Sequence, residues 1–193
     1  MNICVYGASG EQLDRAYFEA AGELGRLLAL DGHRLIFGGG AGGLMGACAR
    51  GASEVGGEII GIAPRFFDEP GVLYDRCTRF IYTDTMRERK QLMETQSEAF
   101  IALPGGIGTF EEFFEMLTLK QLGRHAKPMA VLNTLGYYEP MRSMLSAAAD
   151  GGFMSRRCFE LFAFCGTPAE ALDHIRKSPV LSGSIKRLSD YSK

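Results

Sequence analysis

The sequence predicts an α/β fold with a doubly wound, mostly parallel sheet and helices on both faces. Three observations carry this. Short, fully apolar runs alternate with segments of helical spacing, the connections between them are mostly brief, and three of the runs end in glycine turns. Strands that read as continuous apolar runs are buried on both faces, as in parallel sheets covered by helices. Ligands in such folds bind where strand carboxyl ends meet helix amino ends, and the glycine turns occupy such ends.

Residues 3–6 form the first predicted strand, Gly7-Ala8-Ser9-Gly10 its terminal turn, and residues 13–30 a helix. A second strand at 35–37 runs into Gly38-Gly39-Gly40-Ala41-Gly42-Gly43 and a helix at 44–55, whose small residues permit close packing on the sheet. Strand three spans 59–63. The stretch 64–79 is polar, contains Pro70-Gly71 and lacks a period, so it reads as a loop over the active face. Further strands are expected at 80–82, 100–103, 129–132 and 159–164. Helices are expected at 86–97, after Thr109, at 138–149 and, with Thr167 as cap, at 168–177. Residues 1–177 thus form one domain, followed at 178–193 by a polar, frayed tail.

At 193 residues and 46% hydrophobic content the chain can bury a full core. A net charge of −2 argues against nucleic acid as a partner, because no overall positive surface is available to hold a polyanion. Five cysteines, an odd number without C-x-x-C spacing, suit reduced thiols better than disulfides or zinc. Neither a basic leader nor a membrane-length apolar run is present, so a soluble, cytoplasmic protein with no membrane partner is expected.

The chain is organised around Phe100 to Glu112, FIALPGGIGTFEE. An apolar strand closed by Pro104 breaks into Gly105, Gly106 and Gly108, which allow positive φ and let backbone approach a ligand closely. Thr109 is the natural N-cap of the helix that follows. Exposed amides and the positive end of a helix dipole make this turn an anion site, with Glu112 beside it. Glu112 also has a structural reading: Thr109-Phe-Glu-Glu112 matches a capping box, in which the glutamate reaches back to the N-cap amide. The glycines argue for the functional role, since a helix that needs only a cap does not need three of them.

Other patterns are weaker. Gly38 to Gly43 formally satisfies G-x-G-x-x-G, but Glu58 precedes its strand instead of ending it, so a nicotinamide or flavin is disfavoured. Arg89 and Lys90 open a helix leading into the Phe100 strand. Either they form a solvated basic face or the arginine offers its donor fork to a phosphate, ribose or carboxylate in the same cleft. His33, His125 and His174 stand in no metal or triad spacing. Ser9, in its glycine turn, suits a hydroxyl donor to an anion better than a nucleophile.

Taken together, Pro104 to Glu112 as P-G-G-x-G-T-x-x-E and Met86 to Lys90 as M-x-x-R-K resemble the hallmarks of the LONELY GUY (LOG) family, the cytokinin riboside 5′-monophosphate phosphoribohydrolases once mislabelled lysine decarboxylases. The likeness extends through Gly38-Gly39-Gly40, Gly43-Leu44-Met45-Gly46, Gln121-Leu-Gly123, Lys127-Pro128, Leu132-Asn133 and Gly136-Tyr137-Tyr138. One departure is Ala8, where many members carry serine. The resemblance implies a Rossmann-like homodimer that hydrolyses the N-glycosidic bond of a purine nucleoside 5′-monophosphate, without metal or other cofactor. It implies Arg89 and Glu112 as the catalytic pair and Gly105, Gly106, Gly108 and Thr109, with Ser9, as phosphate ligands. Met86, Lys90, Gly39 and Gly40 are expected to bind substrate. The alternative is a binding protein of the same fold, such as a molybdenum-cofactor carrier; a decarboxylase is disfavoured because no lysine stands in a pyridoxal context.

Overall fold

A computed structural model describes residues 1–178, and the expected polar tail lies, beyond Ser178, outside the described residues. Seven strands form one sheet: β1 (Asn2–Tyr6), β2 (Arg34–Phe37), β3 (Ile59–Pro64), β4 (Arg79–Thr83), β5 (Ala99–Ala102), β6 (Met129–Leu132) and β7 (Ala163–Cys165). Their order is β4-β3-β2-β1-β5-β6-β7, and every pairing is parallel. The chain therefore winds outward from β1 to one edge, returns, and winds from β5 to the other. The reversal between β1 and β5 opens the crevice in which ligands bind in such sheets.

Six helices cover the two faces: α1 (Arg15–Leu30), α2 (Gly43–Glu54), α3 (Met86–Gln96), α4 (Ile107–Gln121), α5 (Glu139–Asp150) and α6 (Pro168–Lys177). Successive strand residues point to opposite sides. Ile3, Val5, Ala99 and Ile101 therefore pack with Leu24 and Leu28 of α1, Leu44 of α2 and Ile175 of α6. Cys4, Tyr6, Phe100 and Ala102 pack with Met93 of α3, Phe113 and Met116 of α4 and Met141 of α5. The small residues of α2 serve a partner that the sequence did not reveal. A Cβ at Gly25 would collide with the Cys48 carbonyl and one at Gly51 with the Gly22 carbonyl, so they let α1 and α2 approach backbone to backbone.

Several boundaries differ from expectation. Helix α1 starts at Arg15, capped by the Asp14 carboxylate, which accepts from the Ala16 amide. The aromatic run expected as a strand at 159–164 is divided: Arg156–Glu160 is a 3₁₀ turn capped by Ser155, and only Ala163–Cys165 joins the sheet. The ring of Phe162 packs edge-on against Phe113 of α4, so the run's apolar character reflects packing under the sheet edge as much as strand pairing. Helix α4 begins at Ile107 with Gly106 as its N-cap, not at Thr109.

Candidate active site

The turns that follow β1, β2 and β5 meet at one end of the sheet. The Ala8 amide donates to the Pro104 carbonyl at 3.0 Å, and the Leu44 amide donates to the Ala8 carbonyl at 2.8 Å. The second turn needs its glycines for the fit. Gly39 and Gly43 have positive φ (79° and 59°), and a Cβ at Gly43 would strike the Ala8 carbonyl. Residues 65–78, between β3 and β4, fold over this end. Leu73 bridges antiparallel to Gly40, the Ala41 amide donates to Val72, and the Tyr74 amide donates to Gly39. The cleft so enclosed has a volume of about 660 Å³.

Arg89 and Glu112 are the charged side chains of its lining. The Arg89 Nη1 donates to Glu112 Oε1 at 2.6 Å, and its Nε donates to the Ile62 carbonyl at 3.2 Å. Both side chains are nearly inaccessible, 8% and 12% exposed. A Cβ at Gly38 would overlap the Arg89 guanidinium, so this glycine makes room for the arginine. Burial raises the Glu112 carboxyl above its ordinary 4.5, while the Arg89 charge and hydrogen bond oppose the shift. A carboxylate held this way is neither a cap nor a solvated surface group.

The amino end of α4 faces the same cleft through Gly106, Ile107, Gly108 and Thr109. Gly106 makes no side-chain capping bond, and the first amides of a helix have no partner within it. The loop glycines differ from expectation: Gly105, Gly106 and Gly108 do not use positive φ. Gly105 is small because a Cβ would overlap Thr109, while Gly106 and Gly108 border open space. These last two give a ligand access to the amides.

The expected site residues are therefore partly gathered. Ser9, Gly40, Met86, Arg89, Gly106, Gly108, Thr109 and Glu112 line the cleft together. Gly39 and Gly105 lie one residue behind its lining, shaping the turns. Lys90 points elsewhere: it pairs with Glu111 and, at 3.0 Å, with Glu115, and the hydrogen bond to Glu111 raises its pKa. Consecutive residues on a helix point about 100° apart, so Arg89 and Lys90 cannot share one face. Phe67, Val72 and Leu73 add an apolar wall that the sequence marked only as a loop, and the exposed aromatic pair Phe66-Phe67 was its one visible signal. Among the described residues no group of three or more His, Cys, Asp and Glu side chains is arranged to hold a metal, and no helix is long and apolar enough to cross a membrane.

A family model described as "Possible lysine decarboxylase" matches residues 45–175. The chain is similar to the cytokinin riboside 5′-monophosphate phosphoribohydrolase of Rhodococcoides fascians, at 42% identity over 72% of this chain and 71% of that protein. It is similar to an Arabidopsis thaliana enzyme of the same name at 38% identity over 79% and 72% of the two chains. Among solved structures, the molybdenum cofactor carrier protein of Chlamydomonas reinhardtii superposes with a TM-score of 0.70, at 25% identity, covering 91% of this chain and 96% of that one.

Proposed function

The chain belongs to the LONELY GUY family, and we propose on that premise that it hydrolyses the N-glycosidic bond of purine riboside 5′-monophosphates to free base and ribose 5-phosphate. The observation that carries this reading is the buried Arg89–Glu112 pair beside the uncapped amino end of α4 in one cleft. A dianion and a carboxylate-assisted reaction centre fit there side by side. The 5′-phosphate sits against the amides of 106–109, where the helix dipole favours negative charge, with Ser9 as a hydroxyl donor. Met86 and Gly40 belong to the walls that hold the rest of the nucleotide, and Gly39 shapes the turn behind them.

As the C1′–N bond breaks, the electron pair leaves with the base and positive charge builds on the ribose. Glu112 stabilises that charge, orients a water toward C1′ and accepts its proton as the new C–O bond forms, and that proton returns through solvent to the nitrogen of the departing base. Arg89 fixes the carboxylate and keeps it ionised at neutral pH against the cost of burial. Phosphate binding remote from the reacting bond supplies positioning for the chemistry. Lys90 enters as a positioning group: its ties to Glu111 and Glu115 fasten α3 to α4, the helices that carry the catalytic pair. Residues 1–177 act as one nucleotide-binding unit, and a cytoplasmic homodimer that binds no nucleic acid completes the reading.

The test is to incubate the purified protein with AMP and, separately, with isopentenyladenosine 5′-monophosphate, and to quantify free base and ribose 5-phosphate. Release that disappears in Glu112→Gln is the expected result. Tight nucleotide binding without release by the wild-type protein would favour the carrier reading, which the Chlamydomonas reinhardtii likeness supports. A carrier would not require a buried Arg–Glu pair in its cleft.

A further inference from the structure

The turn between β6 and α5 lies outside the cleft, yet it delivers two tyrosines to the back of the loop at 103–106. Tyr138 Oη donates to the Leu103 carbonyl at 2.7 Å, and Tyr137 Oη donates to the Gly105 carbonyl at 2.5 Å. Between them the Pro104 carbonyl accepts from Ala8, and after them the Gly106 carbonyl accepts from Phe110. Four consecutive carbonyls are thus held, all by donors outside the 103–106 segment. A peptide unit whose oxygen is fixed on one side has its N–H fixed on the other, because the amide plane is rigid and trans. The amides of Gly106 and Ile107, whose peptide units carry the Gly105 and Gly106 carbonyls, are oriented by these bonds.

The turn that supplies the tyrosines is itself firmly set. Asn133 Oδ1 accepts from the Tyr138 amide at 2.7 Å, and its Nδ2 donates to Glu139 at 2.6 Å. Leu135 within it has φ of 53°, the single non-glycine residue with positive φ among the described residues. Strain of this kind persists where surrounding contacts over-determine the backbone, and it clusters near functional sites. The rings are confined as well. Tyr137 and Tyr138 meet edge to face at 5.0 Å, Tyr17 of α1 packs edge-on against Tyr137, and Phe110 of α4 against Tyr138.

We infer that Tyr137 is a positioning residue that aims the Gly106 amide at the anionic end of the ligand, so that its hydroxyl sets the affinity for phosphate without touching it, while Tyr138, whose partner Leu103 precedes a proline without an N–H, holds the strand end from which the turn departs. The inference rests on the phosphate-binding part of the function proposed above, and not on its hydrolytic step.

The experiment is equilibrium titration of wild type, Tyr137→Phe and Tyr138→Phe with inorganic phosphate, AMP and adenosine, alongside thermal denaturation of each. Phenylalanine keeps the ring and removes only the hydroxyl. Tyr137→Phe should bind phosphate and AMP about 10-fold more weakly, the scale of a carbonyl left without its donor, and adenosine with unchanged affinity. Tyr138 is 1% exposed, so its variant carries the larger folding risk, and the half-buried Tyr137 is the primary test. Unchanged phosphate affinity in a folded Tyr137→Phe would overturn the inference. So would an equal loss for adenosine and AMP, which marks general loosening, or a wild type that does not bind phosphate or AMP. A wild type that binds both and releases no base would remove the hydrolase reading and leave this one standing.

Discussion

Helices α3 and α4 both begin near a Thr-x-x-Glu sequence, Thr85 to Glu88 in one and Thr109 to Glu112 in the other, and the two sequences are used in opposite ways. In α3 the pattern closes on itself. Thr85 Oγ1 accepts from the Glu88 amide at 3.2 Å, and the Glu88 carboxylate accepts from the Thr85 and Asp84 amides. In α4 the cap lies three residues earlier, at Gly106, so Thr109 lies inside the first turn and Glu112 points inward to Arg89. One helix uses its threonine and glutamate to satisfy amides at its own start. The other leaves them open and turns its glutamate toward the cleft. A four-residue pattern therefore has no fixed meaning until the helix start is known, and glycine at the cap position is what moves the start here.

The sharpest break in this comparison is Glu112→Gln. Because the carboxylate caps nothing, the change should lower kcat about a thousandfold while circular dichroism stays that of the wild type. Near-normal turnover would return Glu112 to a structural role. Next is Gly38→Ala, whose methyl group would displace an arginine anchored by both Glu112 and Ile62. A loss of about 100-fold in kcat/KM is expected, with stability lowered by about 1–3 kcal/mol from overpacking.

Acid should reveal the burial of Glu112. Its carboxyl is raised above 4.5, and as the base of the proposed reaction it should make kcat/KM fall about tenfold per pH unit below an inflection lying above pH 4.5. For stability, a raised native value favours folding below pH 4.5, and that contribution is lost as pH rises through the native value. An acid limb centred at or below 4.5 would contradict a desolvated carboxylate. The smallest effect belongs to the other helix. Thr85→Ala should cost about 1 kcal/mol of stability, read as a lower denaturation midpoint, with turnover within about threefold of wild type.

The sheet was legible because buried parallel strands leave an unmistakable apolar run, and all of the first six strands fall where the runs are. Strand β7 was blurred because Phe159 and Phe162 pack under the sheet edge, which hydrophobicity alone cannot separate from pairing within it. Of the two reasons the glycines of the 105–108 turn suggested, positive φ is not used, whereas the open space for close approach is there at Gly106 and Gly108, and Gly105 makes room for Thr109. Arg89 and Lys90 are neighbours in one motif, and only the rotation of the helix distributes them to different faces. Tyr137 and Tyr138 left no local signal beyond family likeness, since their partners, Gly105 and Leu103, lie more than thirty residues earlier.

The segment at 65–78 is hung from the glycine turn by main-chain groups, through Gly40, Ala41 and Gly39 on one side and Leu73, Val72 and Tyr74 on the other. Such a suspension is indifferent to most of the side chains it carries. Phe67 and Val72 can be exchanged while the span keeps its anchorage, whereas Arg89, Thr109 and Glu112 are carried by helices α3 and α4. The molecule thus separates a wall hung by its main chain from a floor fixed by secondary structure, and the lining of the cleft can be reshaped by replacing a few residues of that wall without disturbing the Arg89–Glu112 pair beneath it.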